Sequence, residues 1–146
     1  MILVDANILI YAFDADSPQH VTAHKWLDEC LNEAARVALP WTSLLAFLRI
    51  VTNPRVMRRP ASMAVARAQA RSWLDCPAVW IPLPGERHAE IFDGLLAVPG
   101  VHGNLVMDAH IAALAIEHGL QVHSTDSDFA RFPNLRWLNP LVDQPT

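Results

Sequence analysis

Three groups of aspartates, far apart in the chain, are the residues best suited to chemistry. Asp5 directly follows an opening apolar run, and Asp108 lies in an apolar stretch with helical periodicity. Asp126 and Asp128 come just after a strand-like segment. Carboxylates in apolar surroundings are costly unless a positive charge neutralises them, and no lysine or arginine stands next to these aspartates. Oxygen ligands suit hard divalent cations, so the pattern predicts a site for Mg²⁺ or Mn²⁺.

Each aspartate taken alone has a simpler explanation. Asp5 could cap a following helix, and Asp126 and Asp128 could cap a short turn. Asp108 could be a first-turn acid that the helix dipole stabilises. Three such groups together favour a metal site. A phosphoryl-aspartate hydrolase would need a second aspartate two residues after the first, where this chain has Asn7, and no phosphate-binding glycine motif or serine-nucleophile motif is present.

Strand-length apolar segments alternate with helical patterns along the chain. The predicted strands are residues 1–5, 37–39, 79–81, 120–124 and 135–137. The predicted helices run from Ser17-Pro18 to about Asn32 and over residues 42–52, 61–74, 87–97 and 105–118, the last closed by Gly119. This alternation predicts an α/β domain with a parallel sheet covered on both faces. Ligands of such sheets gather at the carboxyl ends of the strands, where Asp5 and Asp126 are expected.

Length and composition predict one domain over residues 1–146. Hydrophobic residues make up 52% of the 146, so we expect a substantial core rather than disorder. No apolar run approaches the roughly 18 residues of a membrane span, and the first residues do not resemble a signal peptide. Cys30 and Cys76 lack metal-binding or redox spacing, which favours a reduced, cytoplasmic protein with two core thiols.

The charge distribution points to an anionic partner despite a net charge of −4. Residues 34–74 contain no acidic residue and seven of the eleven basic residues. Such asymmetry is typical of a surface that meets an anion, although solvated helix faces would explain it equally well. Trp41 lies in this segment, and base stacking on it is conceivable, but nothing in the sequence supports it.

At this point four segments in order resemble a known family. The segments MILVDANILIYA, LPWTSLLAFLRIVTNPRV, GNLVMDAHIAALAIEHG and STDSDFARFPNLRWLNPL are similar to those of PIN-domain ribonuclease toxins of the VapC type. The resemblance covers nearly the whole chain. It implies a three-layer α/β/α PIN-like domain with a central parallel sheet. It also implies an endoribonuclease that depends on Mg²⁺ (or Mn²⁺), forms a homodimer and is neutralised by a VapB-type antitoxin.

The resemblance also assigns roles to individual residues. Asp5, Asp108 and Asp126 match the family's metal ligands, and Asp128 is a further catalytic acid beside them. Asn7 falls where the family has a small polar residue that orients the first acid. In the acid-free segment, Arg55, Arg58 and Arg59 are the predicted contacts to RNA phosphates, because a turn lets their side chains reach outward.

One departure from the family pattern stands out. Many members carry a glutamate about where this chain has Ala46. Three alternatives follow: the site works with aspartates alone, an acid such as Asp14 or Glu90 takes the place of the glutamate, or activity is weakened. In the last case the protein would be a catalytically weak PIN-fold module that binds antitoxin or RNA.

Overall fold

The computed structural model describes residues 1–33 and 35–142. Strands and helices alternate along this part of the chain, with a short 3₁₀ helix (Ser127–Arg131) before the last strand. In chain order the other elements are β1 (Ile2–Val4), α1 (Ala6–Phe13), α2 (His20–Asn32), β2 (Val37–Ala38), α3 (Trp41–Val51), α4 (Met63–Leu74), β3 (Val79–Trp80), α5 (His88–Leu96), α6 (Leu105–His118), β4 (Gln121–His123) and β5 (Trp137–Leu138).

The five strands form one sheet in the order β3-β2-β1-β4-β5, and every neighbouring pair is parallel. The prediction of a central parallel sheet is therefore confirmed. The chain adds β2 and β3 on one side of β1 and then places β4 and β5 on the other. Such a reversal opens a crevice at the carboxyl ends of the two strands that flank it, here β1 and β4.

Side-chain alternation along the strands gives the sheet two apolar faces. Val4, Val37 and Leu39 pack with α1 to α4, whereas Leu3 and Ala38 pack with α5 and α6. The structure is thus three-layered, as predicted, with one core on each side of the sheet. No helix in the described ranges has both the length and the apolar content needed to cross a membrane.

The largest differences from the sequence prediction are at the starts of the first two helices. Helix α1 was not predicted, because its residues form an almost continuous apolar run without the polar positions that reveal a 3.6-residue period. Helix α2 begins at His20 rather than at Ser17-Pro18. Ser17 instead closes a local turn, in which its hydroxyl donates to Gln19 Oε1 (2.8 Å) and accepts from the Gln19 amide (3.2 Å).

Helix α6 matches its predicted bounds, and Gly119 ends it in the left-handed conformation (φ 69°). That conformation favours glycine because it has no Cβ. The Gly119 turn leads directly into β4, whose first residue is Gln121. The other end of α6, with Asp108 in its first turn, is thereby placed at the edge of the sheet where the parallel strands end.

Candidate metal centre

Three carboxylates from two distant segments converge at the carboxyl-terminal edge of the sheet. One oxygen each of Asp108, Asp126 and Asp128 lies within 4.8 Å of the others. Asp108 comes from the first turn of α6, and Asp126 is the N-cap of the 3₁₀ helix that follows β4. Oxygens at such separations are close enough to share one small cation.

Asp5 links β1 to α1 beside this group. It is the N-cap of α1, where its Oδ1 accepts a hydrogen bond from the Ala6 amide (2.8 Å), and its Oδ2 accepts one from the Ser124 hydroxyl (2.7 Å). Leu3 faces α6, and alternation directs the side chain of Asp5 to the same face. Only 9% of Asp5 is exposed, so its carboxylate is held in a fixed position.

The negative charges of these aspartates affect the pKa values of Asp5 and Asp108. Burial raises the pKa of Asp5 above its ordinary value, and the charge of Asp126 raises it further. Burial also raises the pKa of Asp108 to about 7, with additional contributions from the charges of Asp5, Asp126 and Asp128. We refer to these four residues as the aspartate cluster.

A single arginine partly offsets this negative charge. Arg131 Nη2 lies 3.5 Å from Asp128 Oδ1, and its charge lowers the pKa of Asp108. Arg131 was not predicted as a partner, because it reaches the cluster only when the 3₁₀ helix puts residues 128 and 131 on one side. One guanidinium cannot neutralise four carboxylates, and the pKa of Asp108 remains raised despite it.

The donor set fits a hard divalent cation. It offers only carboxylate oxygens, it carries excess negative charge, and two of its members are ionised at a cost in free energy. A cation would remove that cost by replacing the repulsion between carboxylates with attraction. The oxygens that lie close enough together to hold it are those of Asp108, Asp126 and Asp128, whereas Asp5, a predicted ligand, lies beside this group and is not part of it.

Ser124 is the central hydrogen-bonding residue of the site and was not predicted. It is fully buried, and its hydroxyl donates to Asp5 while accepting from Asn7 Nδ2 (3.0 Å) and the Asp126 amide (3.0 Å). Asn7 therefore acts on Asp5 through Ser124, and its Oδ1 also accepts from the Thr125 amide (3.4 Å). The only signal in the sequence was a serine at the end of a predicted strand.

Neither acid considered as a substitute for the glutamate joins the cluster. Among the residues that the structure describes, the metal-ligand group contains aspartates only. Asp14 ends α1, where its Oδ1 accepts from the Asp16 amide (3.1 Å), and Glu90 is exposed on α5. Ala46 lies on α3 and is partly buried. The described structure thus rules out Asp14 and Glu90 as substitutes and leaves a site built from aspartates.

The three predicted RNA contacts lie in the turn that follows α3, and all are exposed. Arg55 and Arg58 project from this turn, whose shape is fixed by the Arg55 amide donating to Asn53 Oδ1 (2.9 Å). Arg59 is bound by Asp16 through both of its carboxylate oxygens, one of them at 2.9 Å from Nε. Its guanidinium is therefore less available to a phosphate than those of the other two.

Comparison with protein families and curated sequences gives consistent matches over nearly the whole chain. A family model described as PIN domain matches residues 2–135. Ribonuclease VapC37 of Mycobacterium tuberculosis is 43% identical over 140 residues, covering 96% of this chain and 97% of that protein. Ribonuclease VapC33 of the same species is 42% identical, covering 97% of this chain and 99% of that protein.

Solved structures with the same fold are more distant in sequence. VapBC2 from Rickettsia felis, bound to a DNA fragment from its promoter, matches with a TM-score of 0.67 at 19% identity and covers 95% of this chain and 98% of that one. Mycobacterium tuberculosis VapC20, described as a sarcin-ricin loop cleaving toxin, matches with a TM-score of 0.66 at 19% identity and covers 93% and 99%.

Proposed function

This chain belongs to the PIN-domain family as a VapC-type member, and from that premise we propose that it is the ribonuclease toxin of a type II toxin–antitoxin system. The observation that carries the proposal is the convergence of Asp108, Asp126 and Asp128 beside the buried Asp5. The reaction is metal-dependent hydrolysis of RNA phosphodiester bonds. Mg²⁺ is the proposed cofactor, with Mn²⁺ as a substitute.

Each residue of the site has a distinct task in this reaction. Asp5, Asp108 and Asp126 would hold the cation, and Ser124, supported by Asn7, keeps the Asp5 carboxylate in place. The bound cation would supply charge neutralisation at the phosphate and would acidify water. Water adds to phosphorus as the bond to the 3′ oxygen breaks, which leaves a 5′-phosphate and a 3′-hydroxyl.

Protonation of Asp108 would oppose this chemistry. Its pKa of about 7 means that the cation-free site carries a proton on this carboxylate over much of the neutral range. A cation must displace that proton before Asp108 becomes a ligand, so activity should rise from pH 6 to pH 8. Arg131, which faces Asp128, provides a positive charge for a phosphate oxygen at the outer side of the cluster.

Cleavage of labelled RNA by the purified protein tests the proposal. We expect Mg²⁺-dependent cleavage that EDTA abolishes, and a loss of at least a hundredfold in Asp5→Asn and Asp108→Asn. Asparagine preserves the side-chain acceptor that caps α1. Asp75→Asn is the matched control, because Asp75 is exposed and ends α4 next to the start of β3, at the opposite edge of the sheet. Wild-type rates in both cluster variants would refute the assignment, and RNA binding without cleavage would indicate a catalytically weak module.

The proposed protein partner is a VapB-type antitoxin that blocks the site. The acid-free surface of α3 and α4 would accept an acidic segment of such a partner, in competition with RNA. Co-expression with a short neighbouring gene for a DNA-binding protein should give a stable complex that does not cleave RNA. A complex that forms but cleaves at the rate of the free protein would contradict inhibition by this partner.

A homodimer in the cytoplasm completes the proposal. Val56, Met63 and Val65 are 54–60% exposed near the start of α4, and a second copy of the chain would cover such apolar side chains. Cys30 and Cys76 are free thiols, in keeping with a reducing compartment, and burial raises the pKa of Cys30 to about 11, so its reactive thiolate is scarce. Light scattering should give twice the mass of the chain.

A further inference from the structure

Trp41 is the most exposed of the five tryptophans of this chain. About half of it is exposed (49%), whereas Trp73 is 5% exposed and the other three are partly buried. Burying an indole stabilises a fold by a large apolar area, so leaving one at the surface forgoes that gain. An exposed indole in a defined position is therefore a candidate for contact with a ligand.

Strand register places Trp41 next to the aspartate cluster. In the parallel pair of β1 and β2, Leu3 is opposite Ala38. β2 ends at Ala38, and the same register continued two residues past this pair would bring Asp5 beside Pro40 at the usual strand spacing of about 5 Å. Trp41 follows immediately as the first residue of α3. The indole thus begins directly beside the backbone that carries Asp5.

Beyond Trp41, the exposed side of α3 carries apolar and basic side chains, which suit contact with nucleic acid. Leu45 (59% exposed) and Arg49 follow Trp41 at intervals of four residues, so the three side chains lie along one face of the helix. Neither α3 nor α4 contains an acidic residue, and α4 adds exposed Arg67 and Arg71. An aromatic ring at one end and cations beyond it are the two elements of a single-strand binding groove.

We propose that Trp41 is a stacking platform for an unpaired base next to the scissile phosphate, and that the RNA strand continues along the Trp41, Leu45 and Arg49 face of α3. This inference rests on the proposed ribonuclease function and specifies its substrate as RNA that is single-stranded or splayed open at the cut. An A-form duplex hides the faces of its bases, so it cannot offer one to the indole.

Charge favours RNA over a protein as the occupant of this face. Arg49 continues the stripe, Arg67 and Arg71 lie exposed on α4, and neither helix contains an acidic residue to pair with them, which suits the repeated negative charges of a phosphate backbone. Stacking also explains why an aromatic residue, rather than any apolar one, stands beside the cluster. Every base has a π-face, so a tryptophan at this position selects for an unpaired base without selecting its identity.

The test compares Trp41→Phe and Trp41→Leu with the wild type on a 5′-labelled, mixed-sequence 20-nucleotide RNA. Trp41→Leu keeps apolar bulk but has no π-face, and we expect its KM to rise about tenfold with kcat within about twofold. Trp41→Phe should keep KM within about threefold. Val21→Ala on α2 is the control for an exposed apolar side chain (77%) and should leave KM unchanged. RNA affinity measured by anisotropy in EDTA should follow the same order.

An abasic substrate identifies the contact itself. Removing the base next to the mapped cut should weaken wild-type binding about tenfold and have no further effect on Trp41→Leu, because the same interaction has already been lost. Equal KM for Trp41→Leu and wild type, an equal abasic penalty in both, or a change in the oligomeric mass of Trp41→Leu would overturn the proposal. The last result would make this face a protein interface.

The outcomes separate this inference from the function on which it rests. Cleavage by wild type with no effect of Trp41→Leu defeats the stacking platform alone. RNA binding that depends on Trp41 in a protein that does not cleave defeats the nuclease function alone. A wild type that neither binds nor cleaves the RNA defeats both.

Discussion

The raised pKa of Asp108 makes the stability of the protein depend on pH. Its folded-state pKa of about 7 lies above the ordinary 3.8, so the native protein binds more protons than the unfolded chain between these values. Stability contributed by this group is therefore full below about pH 4 and is lost as pH rises through 7. Asp5 acts in the same direction, because burial raises its pKa as well.

We accordingly predict that Asp108→Asn stabilises the metal-free protein at pH 8. Without screening, the raised pKa of Asp108 would correspond to about 4 kcal/mol in the free energy of unfolding. Because this group is half-buried, solvent screening reduces the expected gain to about 1–2 kcal/mol. Urea unfolding in EDTA should show the gain at pH 8 and none near pH 4. A gain that does not change with pH, or one matched by Asp75→Asn, would contradict this origin.

In acid, His123 changes the stability of the protein in the direction opposite to Asp108, so the two effects must be separated. Burial lowers the pKa of His123 to about 4, so the native protein binds fewer protons than the unfolded chain between pH 4 and 6.5. Its contribution to stability is present above 6.5 and is lost as pH falls through 4. Above pH 7, His123 is neutral in both the native and the unfolded protein. The stability difference between Asp108→Asn and wild type at pH 8 therefore reports on the aspartates.

Ser124 gives a second prediction at the residue scale. Ser124→Ala removes the hydroxyl that donates to Asp5 and leaves the donors of Asn7 and Asp126 unpaired. We expect a loss of about 1–3 kcal/mol in stability and a tenfold to hundredfold loss of metal affinity, as is usual for residues that orient ligands. Ser124→Thr retains the hydroxyl and should lose less metal affinity. Unchanged affinity in Ser124→Ala would show that Asp5 holds its position without Ser124.

Among the elements, α6 matters most because it carries Asp108 at one end and is closed by Gly119 at the other. A Cβ at residue 119 would meet no atom within 4 Å, so Gly119→Ala tests backbone conformation alone. We expect a loss of about 1–2 kcal/mol for an alanine forced into the left-handed region (φ 69°). Thermal unfolding measures it.

Gly94 is the matched control, since it lies inside α5 and a Cβ there also meets nothing within 4 Å. Gly94→Ala should raise stability by about 0.5–1 kcal/mol through helix propensity. If both variants were destabilised equally, the conformation of Gly119 would not be the cause. Metal-dependent RNA cleavage by Gly119→Ala should equal that of wild type, because the substitution is at the far end of α6 from Asp108.

The elements also show which parts of the fold a sequence can predict. Helix α6 was predicted with its bounds because its stop residue is a glycine with a specific conformational role. Helix α1 was missed because an apolar run reads equally well as strand or helix, and its one signal was Asp5 as N-cap. Three predicted starts, at 17, 61 and 135, came two or three residues early because the segments 17–19, 61–62 and 135–136 form turns or extended chain instead.

At the scale of the whole molecule, the positions of Asp5 and Asp126 at one edge followed from the sequence, since parallel strands end together. The roles of Ser124 and Arg131 did not follow. Ser124 contacts Asp5 across 119 positions, and Arg131 reaches the cluster through a turn whose geometry no short pattern reveals. Contacts of this kind exist only once the chain is folded.

The acid-free surface yields a prediction about salt. For single-stranded RNA, the slope of log affinity against log salt grows by about 0.7 with each phosphate that an arginine contacts. Removing one such arginine should therefore reduce the magnitude of the slope by the same amount. Arg55→Gln and Arg58→Gln should each lower the slope by about this amount in an anisotropy titration. Arg59→Gln should change it less, because Asp16 already binds that guanidinium. A larger effect for Arg59 than for the other two would show that RNA displaces Asp16.

The most direct test of the central claim is a calorimetric titration of the purified protein with Mn²⁺ at pH 8. If the aspartate cluster holds one catalytic cation, wild type binds one Mn²⁺ per chain. Asp108→Asn and Asp126→Asn should then bind at least tenfold more weakly, while Asp75→Asn binds as wild type does. A wild type that binds no Mn²⁺, or cluster variants that bind it as tightly as wild type, would contradict the account.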